Sequence, residues 1–231
     1  PAAHVEAALG AAVAGIRVSR IDPAGETRAY AAEVLAAAGA GLDPAGRALL
    51  EEDLRSPCTE EIAVFRAFAR IVDEGAQGFV VIDTAPTGHT LLLLDAAEAY
   101  HREVLRAAGS APEAVRRLLP RLRDPAFTKI LLVTLAEATP VHEAAQLQRD
   151  LARADIRPFA WVVNQSLTPL TVTDPVLVER RAHEPRFLDE VAALATRVAL
   201  VPWAVAEPAR RLDLMVAGAA PAVVDLRVGA P

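Results

Sequence analysis

The chain has 231 residues, 53% of them hydrophobic and 23% charged, the make-up of a globular protein with a sizeable core. A net charge of −6 argues against nucleic acid as a partner, because polyanion-binding surfaces are basic. One cysteine, Cys58, excludes an internal disulfide, and no apolar run approaches the ~20 residues that span a bilayer, so a cytoplasmic protein is expected.

Aromatic residues make up only 4% and alanine is abundant, which favours helices packed closely on a sheet. Pro1-Ala2-Ala3-His4 leads straight into a helical pattern. Ile16–Ile21 is the first of five short runs rich in Val, Ile and Leu that read as buried parallel strands. A loop signal follows at Leu42–Gly46. From about Thr59 to Asp73, Ile62, Phe65, Phe68, Ala69 and Val72 recur at helical spacing, with Thr59 as N-cap.

The second strand is Phe79–Asp83, and a further helical stretch follows Thr90. After a loop signal at Gly109–Pro112 come a strand at Ile130–Leu135, a helix at Pro140–Ala154 and a strand at Phe159–Asn164. A loop signal at Leu167–Pro175 precedes the last strand, Val198–Val201, and another lies at Glu207–Pro208. Strand and helix alternate, so the expected fold is α/β: a doubly wound, mostly parallel sheet with flanking helices. Residues 219–231 have weak periodicity and are expected to form a loose tail behind a domain over 1–218.

Ligands of open parallel sheets gather at the carboxyl ends of strands. Asp83 ends the run Phe79-Val80-Val81-Ile82, where a carboxylate suits Mg²⁺, and Pro86-Thr87-Gly88-His89 follows closely. Gly88 lets backbone approach a phosphate, and it equally suits a turn. Asn164 ends Trp161-Val162-Val163; its amide fits an adenine edge or a cap on the following turn. Cys58 lies at a helix N-terminus, where the dipole favours thiolate, a ligand for thiophilic ions; a lone cysteine is also a common core residue. His4, His101, His142 and His183 read as surface or helix-end residues. The single lysine, Lys129, stands in no glycine-rich loop.

Three runs then carry a resemblance: Leu54-Arg55-Ser56-Pro57-Cys58-Thr59-Glu60-Glu61-Ile62-Ala63-Val64-Phe65, Asp83 through Leu94, and Trp161-Val162-Val163-Asn164-Gln165-Ser166. Together they resemble the C-terminal of the two homologous nucleotide-binding halves of the arsenical pump-driving ATPases, deviant P-loop ATPases, over about residues 1–218. The resemblance implies a P-loop NTPase-like fold and ATP hydrolysis with Mg²⁺, coupled to efflux of As(III) or Sb(III). It implies that Asp83 to His89 is a switch sensing Mg²⁺ and the γ-phosphate, with Gly88 at the phosphate. Asn164 would contact adenine, and Pro202 would belong to the adenine loop. Cys58 and His89, with Ser56 assisting, would be metalloid-site residues, completed by cysteines of the other half.

The family's Gly-Lys-Gly-Gly-Val-Gly-Lys-Thr loop does not occur in these 231 residues. Pro1-Ala2-Ala3-His4 resembles the end of a switch motif, so the expectation is a fragment lacking the first strand, the P-loop and the first helix, inactive by itself. Implied partners are the N-terminal homologous half or a second copy, and a membrane arsenite channel that would hold the protein at the inner membrane. Two alternatives remain: a non-catalytic metalloid- or partner-binding module, and a targeting ATPase for tail-anchored proteins. The latter family's Cys-X-X-Cys and Met-rich helix are missing here.

Overall fold

A computed structural model describes residues 18–83, 112–203 and 224–225 of the chain. The chain divides into two compact units: Arg20–Leu122, and Arg123–Pro231 together with Pro1–Ser19.

The described part of the first unit is helical. Helix α1 (Pro23–Ala38) and helix α2 (Pro44–Asp53) each open on a proline, whose fixed φ and missing N–H suit a first helical turn. Asp43 caps α2, accepting the Gly46 N–H at 2.7 Å. Residues 44–46, expected in a loop, therefore begin a helix. Helix α3 (Pro57–Glu74) starts two residues before the expected Thr59. Its N-cap is Ser56, again followed by proline at the first position. Thr59 is inside the helix, buried, and its hydroxyl donates to the Asp53 carbonyl at 3.2 Å. Phe65, Ala69 and Val72 of the expected stripe are buried together with Ala63 and Ala67, while Ile62 and Phe68 are half-buried.

Helix α3 packs on α1. Arg66 of α3 donates to both carboxylate oxygens of Glu33 at 2.9 and 3.0 Å and stacks over the Tyr30 ring. Arg70 reaches Glu26 at 2.8 Å. Helix α4 (Glu113–Arg123) buries Val115, Leu118 and Leu119.

Two expected strands are unpaired among the described residues. Residues 18–21 of the Ile16–Ile21 run pair with nothing among the described residues. Phe79–Asp83 likewise joins no ladder, and it is open rather than buried: Phe79 is 79% and Val81 84% exposed. Hydrophobicity alone does not make a strand. A run needs a neighbour for its N–H and C=O groups, and Phe79–Asp83 has none among the described residues of its unit.

The second unit carries the sheet. Strands β1 (Leu131–Leu135), β2 (Ala160–Ser166) and β3 (Val198–Pro202) run parallel in that order, close to the expected bounds. Val224–Asp225, inside the stretch expected as a tail, forms β4, antiparallel to β3. Helix α5 (Ala138–Arg153) joins β1 to β2, and helix α6 (Pro175–Leu194) joins β2 to β3. Each strand is added on the same side of the last, so crossovers of one hand place both helices on one face. Burial agrees: Leu132, Thr134, Trp161, Val163, Val198 and Leu200 are buried, whereas Leu131 and Val133 of β1 are 51% and 60% exposed. This α/β arrangement, a parallel sheet flanked by helices, is the fold class expected from the alternation of elements.

Two details fix the frame. Trp161 donates its indole N–H to Gln148 of α5 at 2.6 Å, and the Gln148 amide donates to the Leu194 carbonyl at the end of α6. One side-chain bridge thus ties both helices to the central strand. Helix α5 ends with Asp155 at φ 59°. The Ile156 N–H returns to the Leu151 carbonyl and the Asp155 N–H to Ala152, and both Ile156 and Leu151 are buried. That is a Schellman termination closed by its hydrophobic contact, and it aims the chain back toward β2.

Candidate functional site

The carboxyl ends of β2 and β3 lie side by side. Asn164 ends the regular part of β2, and Pro202 ends β3. The register breaks between Val163 and Ser166, and Ser166 pairs with Pro202. Trp203 N–H then donates to the Ser166 carbonyl at 2.8 Å, which keeps the two strand ends together past the break. Two of the residues expected at the adenine, Asn164 and Pro202, are therefore brought to neighbouring strand ends, both half-buried.

At the break, Gln165 takes a left-handed backbone, φ 55°. A non-glycine residue there costs on the order of 1 kcal/mol or more, and persists only where its surroundings fix it. The Asn164 amide oxygen accepts the Gln165 N–H at 3.0 Å, a local contribution to that fixing. The second lone pair of that oxygen and the amide NH₂ can still meet a base edge. Asn164 thus serves its own turn and stays available to a ligand; the two readings of this residue are compatible.

The turn beyond is held from outside by Glu184 of α6, a side chain 2% exposed. Its carboxylate accepts the Ser166 hydroxyl at 2.7 Å, the Leu167 N–H at 2.8 Å, and the Thr168 N–H and hydroxyl at 2.8 and 2.7 Å. Burial pushes this carboxyl's pKa up. The bonds from Leu167, Thr168 and Ser166 outweigh burial and hold it below the ordinary value. Sequence reading missed Glu184. Its partners lie 16 to 18 residues away, and a glutamate among Arg180, Arg181 and His183 reads as one more surface charge.

The remaining expected residues are placed differently. Cys58 is exposed on the first turn of α3. Ser56 precedes it as N-cap, its hydroxyl 3.1 Å from that of Thr59. Asp83 is exposed at the end of the unpaired apolar run. Gly88 and His89 lie outside the described residues, as do His4 and His101. Among the described residues no three His, Cys, Asp or Glu side chains gather as a metal site. Asp83 alone offers a hard oxygen, which suits Mg²⁺ when substrate phosphates and water fill the remaining positions. Cys58 alone offers a soft thiol. Of the expected surface histidines, His142 is exposed and 3.1 Å from Glu190, and His183 is exposed. Lys129 lies over the Phe159 ring and donates to the Pro125 carbonyl, a structural post remote in kind from a phosphate-loop lysine. No helix among the described residues is long and apolar enough to cross a membrane.

Known proteins supply the frame for this strand-end site. The family model for anion-transporting ATPases matches residues 13–119 and 94–207. The chain is 51% identical over 213 residues to the arsenical pump-driving ATPase of Acidiphilium multivorum, covering 90% of this chain and 36% of that relative. It is 52% identical over 209 residues to an arsenical pump-driving ATPase of Escherichia coli, with the same coverage, 90% and 36%. It thus spans about a third of the length of these curated relatives, 36% in each. With the family match running through both the Cys58 helix and the Asn164 strand end, the chain belongs to the anion-transporting ATPase family.

Proposed function

We propose that this chain is part of an ATP-hydrolysing protein, stimulated by arsenite or antimonite, that drives metalloid efflux. The observation that carries the reading is that Asn164 and Pro202 stand at the carboxyl ends of adjacent parallel strands, the place where such sheets bind nucleotides. Family membership and the 51% and 52% identity to arsenical pump-driving ATPases support it.

Asn164 and Pro202 hold the adenine. Asp83 and Gly88 serve Mg²⁺ and the terminal phosphate, Asp83 being the hard oxygen donor that Mg²⁺ prefers. Bound Mg²⁺ neutralises charge developing on the transferred phosphoryl group. Cys58 and His89 are ligands to As(III) or Sb(III), with Ser56 assisting. Six positions separate Asp83 from His89, so one loop with two arrangements would link nucleotide and metalloid. One thiol makes a weak site, so the remaining thiolates come from a homologous ATPase half or a second copy. A membrane arsenite channel is the expected efflux partner and would keep the protein at the cytoplasmic face of the inner membrane. Residues 1–218 form the ATPase portion in this reading, and Val224–Asp225 of the stretch beyond adds a short strand to its sheet.

The 231 residues hold one lysine and no glycine-rich phosphate loop, so this polypeptide alone is expected to turn over no ATP. Turnover should be assayed for the 231-residue polypeptide and for the protein with a P-loop-bearing segment and its homologous half supplied. Arsenite-stimulated hydrolysis only in the second supports the assignment; hydrolysis by the 231 residues alone contradicts it.

A further inference from the structure

Glu184 answers a question that the adenine assignment leaves open: what holds the strained turn at the end of β2. Gln165 is left-handed, the ladder to β3 slips across it, and Asn164 is the residue immediately before. Two anchors fasten the chain just beyond. One is the backbone bond from Trp203 to Ser166, at the β3 side. The other is Glu184, which gathers the Ser166 hydroxyl, the Leu167 N–H and both donors of Thr168. Ser166 and Leu167 are almost completely buried, so these donors have no water to fall back on. The Thr168 carbonyl is held in turn by Arg181 at 3.3 Å, one helical turn before Glu184 on the same helix.

We propose that Glu184 is a positioning residue for base recognition: by clamping Ser166–Thr168 it fixes the Gln165 backbone, and so the direction in which Asn164 presents its amide to the purine. The proposal rests on the reading of Asn164 as the base-contacting residue. It assigns Glu184 no contact with nucleotide. An ionised carboxylate is required, because every partner is a donor. An amide at 184 would set its own NH₂ against the Leu167 or Thr168 N–H, and one side of the clamp would open.

The test is nucleotide affinity of the full-length protein, measured by calorimetry with Mg²⁺ for ATP, GTP and inorganic tripolyphosphate, which lacks a base. Glu184→Gln is expected to reduce the preference for ATP over GTP by about 10-fold, the equivalent of one lost oriented contact, with tripolyphosphate affinity unchanged. General destabilisation would instead lower all three affinities together. Ser166→Ala and Thr168→Val each remove one donor and leave the carboxylate in place. They should lower the preference by a smaller factor, and they keep the test open if Glu184→Gln does not fold. Asn164→Ala separates the two layers of inference. If it abolishes the preference while Glu184→Gln, Ser166→Ala and Thr168→Val leave it intact, the positioning role is overturned and the base site stands. If Asn164→Ala also leaves the preference intact, the base site itself fails and Glu184 has nothing to position.

Discussion

In the sheet unit, Asn164 and Pro202 end neighbouring strands, and the turn after Asn164 is fastened to a buried carboxylate on the next helix. In the helical unit, Cys58 lies exposed on the first turn of α3, and Asp83 ends an apolar run with no ladder partner among the described residues. Both regions carry family motifs. Among the described candidate residues, Asn164 has its turn fastened by neighbouring groups, whereas Cys58 and Asp83 are exposed. Recognition of a base edge needs donors and acceptors fixed in direction, which a strand end with a clamped turn supplies. A thiol on an open helix end supplies chemistry without geometry.

The largest expected effect that separates the two regions is on stability. Trp161→Ala removes a fully buried indole and its bond to Gln148, and should cost about 3–5 kcal/mol by denaturant titration. Cys58→Ser on the exposed helix end should change stability by less than about 0.5 kcal/mol. Comparable losses from the two would mean that Cys58 is packed.

Glu184→Gln comes next, at about 2–3 kcal/mol, the worth of an ionised buried acceptor whose donors lose their partner. The same clamp predicts a pH dependence. Because the folded pKa of Glu184 lies below the ordinary carboxylate value, its stabilisation is fully present above the unfolded pKa and fades as pH falls through the folded one. Urea midpoints of wild type and Glu184→Gln should therefore converge on acidification. A gap that stays constant into the acid range would contradict an ionised clamp.

A smaller effect tests the helix that carries Glu184. Asp174 caps α6 by accepting the Val176 and Leu177 N–H groups at 2.9 and 3.2 Å, and Asp43 caps α2 at 2.7 Å. Each change to alanine should cost about 1 kcal/mol. Asp174→Ala alone should also weaken ATP-over-GTP preference, since fraying α6 loosens the Glu184 clamp. An equal loss of preference from Asp43→Ala would point to global softening instead. Smallest of all, Glu26→Ala, which breaks the exposed pair with Arg70, should cost at most about 1 kcal/mol.

The sheet was legible because its signals are local. Leu131–Leu135, Ala160–Ser166 and Val198–Pro202 are short Val- and Leu-rich runs between helical stretches, and they matched expectation to within two residues at either end. The strand-end placement of Asn164 was legible from its run, whereas the adenine roles proposed for Asn164 and Pro202 rest on the family resemblance. Phe79–Asp83 has the same composition as those runs and no pairing among the described residues, because strand formation depends on a neighbour that composition does not report. Helix starts were misread where proline and its preceding cap outrank a threonine two residues later, as at Ser56-Pro57. Glu184 was invisible for a third reason. A buried carboxylate is specified by donors distant in sequence, and nothing near position 184 marks it as different from the charges around it.

We propose that the Cys58 helix end senses metalloid for an ATPase whose base site is at Asn164. Steady-state ATP turnover of the full-length protein, with and without arsenite, tests it most directly when wild type is set against Cys58→Ser. Arsenite is expected to raise wild-type turnover several-fold, and Cys58→Ser is expected to show no rise. The same arsenite-dependent rise in Cys58→Ser would contradict it.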